Sequence, residues 1–365
     1  MISANNLVKT FDKSDPEFEE WLRISLESDI SDFAKLCLAM GSLNHGPQDN
    51  KIYDFLFPLI LKSCQISSSN SYQSFHALKI WSAKTRLRKS TYLKCHQEVL
   101  NELLNLINAN WEIPLRGVPD LLADSLTNIL ATLNDAQLDQ KLLQNAMTSL
   151  SWKTKAKYPL LFVLLPRTGV IETLQNHPDF ASGLCQSLST NHLASAGASL
   201  YKLIVKTPNI FDIWEKDFAP HFLYSLCQDP SPLVRCNAKN YWLSPTLSYL
   251  KAEKAASCML EKLCKYDHGE AARFLILKGL RSNGLLNSLE QHWEALERGL
   301  EHSSSDVSIA AFAVICQVKK KGLLPTRKEL ILATNFILNN LTVDEAAFRQ
   351  VRQTCQECII HISPI

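Results

Sequence analysis

The chain is poor in glycine, with 11 in 365 residues. β-Barrels and Rossmann-type folds depend on glycine for tight turns and close backbone approach, so both are disfavoured. It also lacks an excess of charge of either sign: 38 Lys and Arg against 36 Asp and Glu leave +2. No global field gathers nucleic acid or a membrane surface, and any basic site has to be local. The longest apolar run falls far short of the ~20 residues of a membrane span. The opening stretch MISANNLVKTFDKSDPEFEE holds no hydrophobic signal core. No segment of six or more residues alternates apolar and polar side chains, so no strand is expected. Histidines and acids are scattered, with no Ser/His/Asp or paired-carboxylate arrangement and no nucleotide loop, so no enzyme is expected.

What is present is a globular composition, 46% hydrophobic and 20% charged, in a chain long enough for a large core. Cys37, Cys64, Cys185, Cys227, Cys258 and Cys316 sit among apolar residues at helical spacing. That pattern fits buried, reduced thiols of a cytoplasmic protein better than a disulfide framework. Cys355 and Cys358 form a CxxC with no second pair. They share a helix face at i, i+3, which does not make a zinc site, so no metal and no cofactor are expected.

Helical periodicity runs through the chain. Residues 1–14 read as a loose terminus, followed by one continuous helical region over 15–365, since no Ser/Gly linker divides it. Leu126, Ile129, Leu130 and Leu133 recur at i, i+3, i+4 and i+7, and Leu100, Leu103, Leu104 and Ile107 repeat the pattern. Helices are expected at 252–265, 269–282, 285–303 and 325–341 among others. Short loops make neighbours antiparallel. The architecture expected is all-α, a HEAT/armadillo-like α-solenoid of stacked antiparallel helix pairs.

Near the middle lies SWKTKAKYPLLFVLLP, 151–166, with Lys153, Lys155 and Lys157 directly before the uncharged block 160–165. Pro159 suits the first turn of a helix beginning there; a helix from Thr154 would instead be kinked by it. The lysines suit contact with nucleic-acid phosphates and Trp152 suits stacking on an unpaired base. Alternatively Trp152 is core and the lysines are a solvated rim. Lys84, Arg86, Arg88 and Lys89 form a second basic cluster, which helix-dipole stabilisation also explains. Arg349 and Arg352 share a helix side and are candidates for a partner groove, whereas Lys319 to Lys321 close a helix before Gly322.

The sharpest turn is DPSPLVRCNA, 229–238. It resembles the HEAT-repeat signature, with Val234 and Ala238 facing the core and Arg235 expected to pair with Asp229 or with an acid of the adjacent repeat.

Four places carry a wider resemblance: Trp111-Glu112 with Pro114-Leu115; SLSWKTKAKYPLL at 149–161; DIWEKDFAPHFLYSLCQD at 212–229; and ATNFILNNLTVDEAAFRQVRQTCQECIIHI near the end. In this order they resemble the thyroid adenoma-associated protein (THADA) family, over about 95–362. The resemblance implies a non-catalytic helical-repeat partner of a tRNA ribose methyltransferase that modifies the 2′-hydroxyl of nucleotide 32. S-Adenosylmethionine would bind the methyltransferase. A second role implied by the family is regulation of the endoplasmic-reticulum calcium pump. Family members are far longer, so this sequence is expected to be a fragment or a truncated product.

Overall fold

The computed structural model describes residues 71–87, 97–110, 117–317 apart from Asn287, and 326–340, together with Ile60, Leu61, Cys64 and Leu93. The expected loose terminus 1–14 lies outside the described residues. Every described element is helical, as the periodicity required. The helices fall into two compact units, one ending at Gly169 and the other beginning at Val170. Gly169, the last residue of the first unit, has φ +90°.

In the first unit, α1 is Ser71–Leu87, α2 Gln97–Asn110, α3 Val118–Leu133, α4 Ala136–Ser149 and α5 Lys157–Thr168. α3 is the hub, packed against α1, α2 and α5, while α4 packs on α5. The Leu126, Ile129, Leu130, Leu133 stripe is the reason, since all four side chains are buried. The α3–α4 turn is made locally. Asn134 adopts φ 48° and its N–H returns to the Leu130 carbonyl at 2.8 Å. One residue later, Asp135 caps α4, its Oδ1 accepting from the N–H groups of Gln137 and Leu138 at 2.9 and 3.1 Å.

α5 begins at Lys157, so Pro159 lies in its first turn, where its missing N–H removes no helical bond. Five of the six side chains at 160–165 are buried. The exception is Phe162, 42% exposed, because an uninterrupted apolar run on a helix must turn one residue away from the core.

The second unit contains α6 Val170–Asn176, α7 Phe180–Cys185 and α8 Asn191–Lys206. α9 spans 211–227, with a π-helical stretch at Trp214–Phe218 inside it. α10 spans 232–249 around a second π-helical stretch, Ala238–Leu243. α11 is Ala252–Lys262, α12 Gly269–Ser282, α13 Trp293–Leu300, α14 Ser305–Cys316 and α15 Arg327–Asn340. The helix expected at 285–303 is shorter, preceded by a 3-10 turn at Glu290–His292, because Leu285 is exposed and the apolar face starts later, at Leu289 and Leu296.

Each π stretch carries a tryptophan, and both tryptophans meet Tyr201 of α8. Trp242 stacks on the Tyr201 ring with centroids 4.1 Å apart and planes at 6°. Trp214 donates its indole N–H to the Tyr201 hydroxyl at 2.9 Å, and that hydroxyl lies 2.6 Å from Thr246 Oγ1. This fully buried polar–aromatic cluster fastens α8, α9 and α10 together. Further along, Phe274, Leu277, Leu296, Val307, Ala311 and Val314 form the apolar contact among α12, α13 and α14. Arg281 and Glu329, both 2% exposed, pair at 2.8 Å between α12 and α15.

Candidate functional site

The two basic stretches singled out from the sequence have different fates. In the first, Lys84 is half-buried and Arg86 is exposed, its Nη1 donating to Asn128 Oδ1 of α3 at 3.2 Å. Arg88 and Lys89 lie outside the described residues, as do Arg349, Arg352, Lys319 to Lys321 and the CxxC at 355–358.

In the second, the lysines do not act as one rim. Lys153 is exposed and Lys155 half-buried, both in the turns between α4 and α5. Lys157 is only 1% exposed, and this corrects its reading as a phosphate contact. Its ammonium donates to the carbonyls of Met147 and Leu150 at 3.1 and 2.7 Å. Those belong to the last turn of α4 and its C-cap, where carbonyls lack helical partners and the dipole favours a cation. Burial lowers the pKa of Lys157 from 10.5 to about 8.

Trp152 joins the same structural group. Lys157 Nζ sits 4.4 Å from its ring centroid, and the Tyr158 hydroxyl donates to the Trp152 carbonyl. The indole is half-buried, and the ammonium lies over its ring.

The turn at 229–238 also differs from expectation. Arg235 Nη1 donates to the main-chain carbonyl of Asp229, not to its carboxylate. Asp229 Oδ1 instead accepts from the N–H of Ser231 at 2.9 Å. Among the described residues no carboxylate lies within ion-pair distance of Arg235. A short Asx turn turns the carboxylate back on its own backbone, leaving the carbonyl as the acceptor within reach. Ala238 is fully buried as expected, while Val234 is half-buried.

Arg235 lines a feature that the linear sequence does not reveal. α10, α12 and α14 bound an open groove of about 610 Å³ in the second unit. Its aliphatic lining comes from Leu226, Leu243, Leu247, Leu275 and Ile309. Arg235, Lys239, Lys278 and His268 supply the basic groups and Asp306 the one acid. These residues come from helices separated by dozens of positions, and no local cluster signals them. A second patch that sequence reading missed is the exposed ring of Tyr249, with Lys206 and Lys202 at 4.3 and 5.3 Å from its centroid. The i, i+4 spacing of the two lysines was the available signal.

The thiols of Cys185 and Cys227 are pushed up to about 12 by burial, which suppresses the reactive thiolate. Cys64, Cys185, Cys227, Cys236, Cys258 and Cys316 are free thiols. Among the described residues no helix is long and apolar enough to cross a membrane, and no group of histidine, cysteine and acidic side chains is arranged to hold a metal.

No protein-family model matches the chain. Among curated proteins, it is similar to the tRNA (32-2'-O)-methyltransferase regulator THADA of Gallus gallus, at 23% identity over 71% of this chain. The regulator of the same name from Mus musculus is 22% identical over 69% of it. The similarity is distant. The chain spans about 15% of the length of the curated relatives it matches. Both relatives are named as regulators of a methyltransferase, not as methyltransferases. Among solved structures, one described as the structural basis of tubulin recruitment and assembly by microtubule polymerases with tumor overexpressed gene domain arrays overlaps 98% of this chain and 96% of its own. Its TM-score of 0.31 and identity of 10% carry no inference about either fold or function.

Proposed function

We propose that the chain is a non-catalytic helical-repeat regulator of a tRNA ribose methyltransferase, supporting 2′-O-methylation of nucleotide 32 in the anticodon loop. What carries this reading is the alignment of more than two thirds of the chain with two proteins named as regulators of that reaction. Those names favour methyltransferase regulation over control of a calcium pump. The methyl donor and the chemistry belong to the enzyme, and this chain contributes surface. Lys84, Arg86, Lys153 and Lys155 supply contacts to the tRNA backbone, a task suited to cations that recognise charge rather than base edges.

Two measurements test this. Ribose-methylation mapping in cells lacking the gene is expected to show loss at nucleotide 32, restored by the wild-type gene; unchanged methylation refutes the regulator reading. Separately, tRNA is titrated onto the assembled complex at two salt concentrations, with and without Lys153→Glu and Lys155→Glu. The variant is expected to bind more weakly and with a shallower salt dependence, because each lost phosphate contact releases fewer counterions. Equal affinities and equal slopes would assign these lysines to solubility.

A further inference from the structure

The groove between α10, α12 and α14 combines two properties that seldom coincide on a purely solvated face. Its aliphatic part leaves Leu275 and Ile309 half-buried at the opening, over the buried Leu243 and Leu247. Its charge is uncompensated: three cations, Arg235, Lys239 and Lys278, face one carboxylate, Asp306. Neither lysine has an ion-pair partner among the described residues. Lys239 is exposed and Lys278 half-buried, so both ammonium groups border the opening.

We infer that this groove receives an acidic peptide segment of a protein partner, anchored by aliphatic side chains. This goes beyond the regulator reading and does not depend on it. The occupant follows from charge and surface chemistry. Aspartate or glutamate on the peptide meets Lys239, Lys278 and Arg235, which steers encounter and fixes orientation. Aliphatic anchors cover the half-buried Leu275 and Ile309, removing apolar surface from water on both sides. Single-stranded RNA is the poorer fit, since bases stack on aromatic rings or free guanidinium planes. No Phe, Tyr or Trp lines this groove, His268 offers its one imidazole, and the one guanidinium is held by the Asp229 carbonyl.

Cys236 is exposed and lines the same groove, so its alkylation reports occupancy directly. Random peptides displayed on phage are selected against the full chain. The enriched pool is expected to hold leucine-like anchors flanked by Asp or Glu. A synthetic peptide from that pool is expected to slow Cys236 alkylation, read by mass spectrometry. Its affinity is expected to fall about tenfold or more with Lys239→Glu/Lys278→Glu. Lys239→Gln/Lys278→Gln, which only removes charge, gives a smaller loss and keeps the test valid if the glutamate pair fails to fold. The inference is overturned if selection returns no binder or a pool without acids. It is equally overturned if bound peptide leaves Cys236 alkylation unchanged, if neither lysine pair alters affinity, or if an oligouridylate protects Cys236 where the acidic peptide does not.

Discussion

Removing the carboxylate of Asp139 is expected to destabilise the first unit by about 3 kcal/mol, the lower end of the range for breaking a buried ion pair. Arg167, in the last turn of α5, places Nε 3.0 Å from each Asp139 oxygen and Nη2 2.9 Å from Oδ2. The same Nη2 donates to the Leu130 carbonyl at the end of α3, also at 2.9 Å. One guanidinium thus joins three helices. The acid lies in the first turn of α4 and the cation in the last turn of α5, each where its helix dipole favours it. Side-chain exposure is 6% for Asp139 and 19% for Arg167, so after Asp139→Asn the guanidinium regains only part of its hydration. Arg167→Lys keeps the charge but loses the two-pronged geometry, and is expected to cost about half as much. The assay is urea unfolding of wild type, Asp139→Asn, Arg167→Met and the double variant, with amide exchange at Asn134 and Gly169 as local probes of the α3 and α5 ends. A coupling of about 1.5–3 kcal/mol is expected. A loss under about 1 kcal/mol for either single variant, with negligible coupling, would show that water screens the pair as at a surface and would refute the argument.

Lys157 predicts a pH effect of definite sign. The folded group releases its proton near pH 8, while the unfolded lysine keeps its own to about 10.5, so stability from this group rises with pH across that window and is lost as pH falls through 8. The thiols of Cys185 and Cys227, raised to about 12, oppose this trend above their ordinary value of 9, so the effect is read as the difference in melting between wild type and Lys157→Met along a pH series; a constant difference would refute it. Gly299→Ala is expected to cost about 1–3 kcal/mol, measured by thermal unfolding, because the added Cβ would lie 2.4 Å from Phe274 Cζ and 3.0 Å from Ala311 Cβ in the α12–α13–α14 core. Arg235→Ala is expected to cost about 1 kcal/mol or less, the loss of a hydrogen bond to a carbonyl and not of a buried ion pair; a loss near 3 kcal/mol in urea unfolding would restore the ion-pair reading.

Helix identity was legible wherever burial repeats at helical spacing. The stripe from Leu126 to Leu133 and the stretch 269–282 are examples, because a helix needs only its own few turns to declare an apolar face. The capping of α4 by Asp135 was likewise written locally. Side-chain partners were not. Lys157 stands in sequence as one of three alternating lysines, and only the return of the chain over the end of α4 makes it a buried cap. Asp139 and Arg167 are 28 positions apart, and nothing local marks either as half of a pair. Asp229 and Arg235 were read as partners, yet the turn directs one to its own backbone and the other to a carbonyl.

The sequence by itself determined that the chain is built of helices and which faces are apolar, and its motifs carried the distant likeness to the THADA proteins. Those properties reside in residues a few positions apart. The tertiary structure alone decided which cations are solvated and which are spent inside, and which distant side chains share a groove. Charge in a folded protein is governed by exposure and by the groups across the contact, and neither is a property of neighbouring residues along the chain.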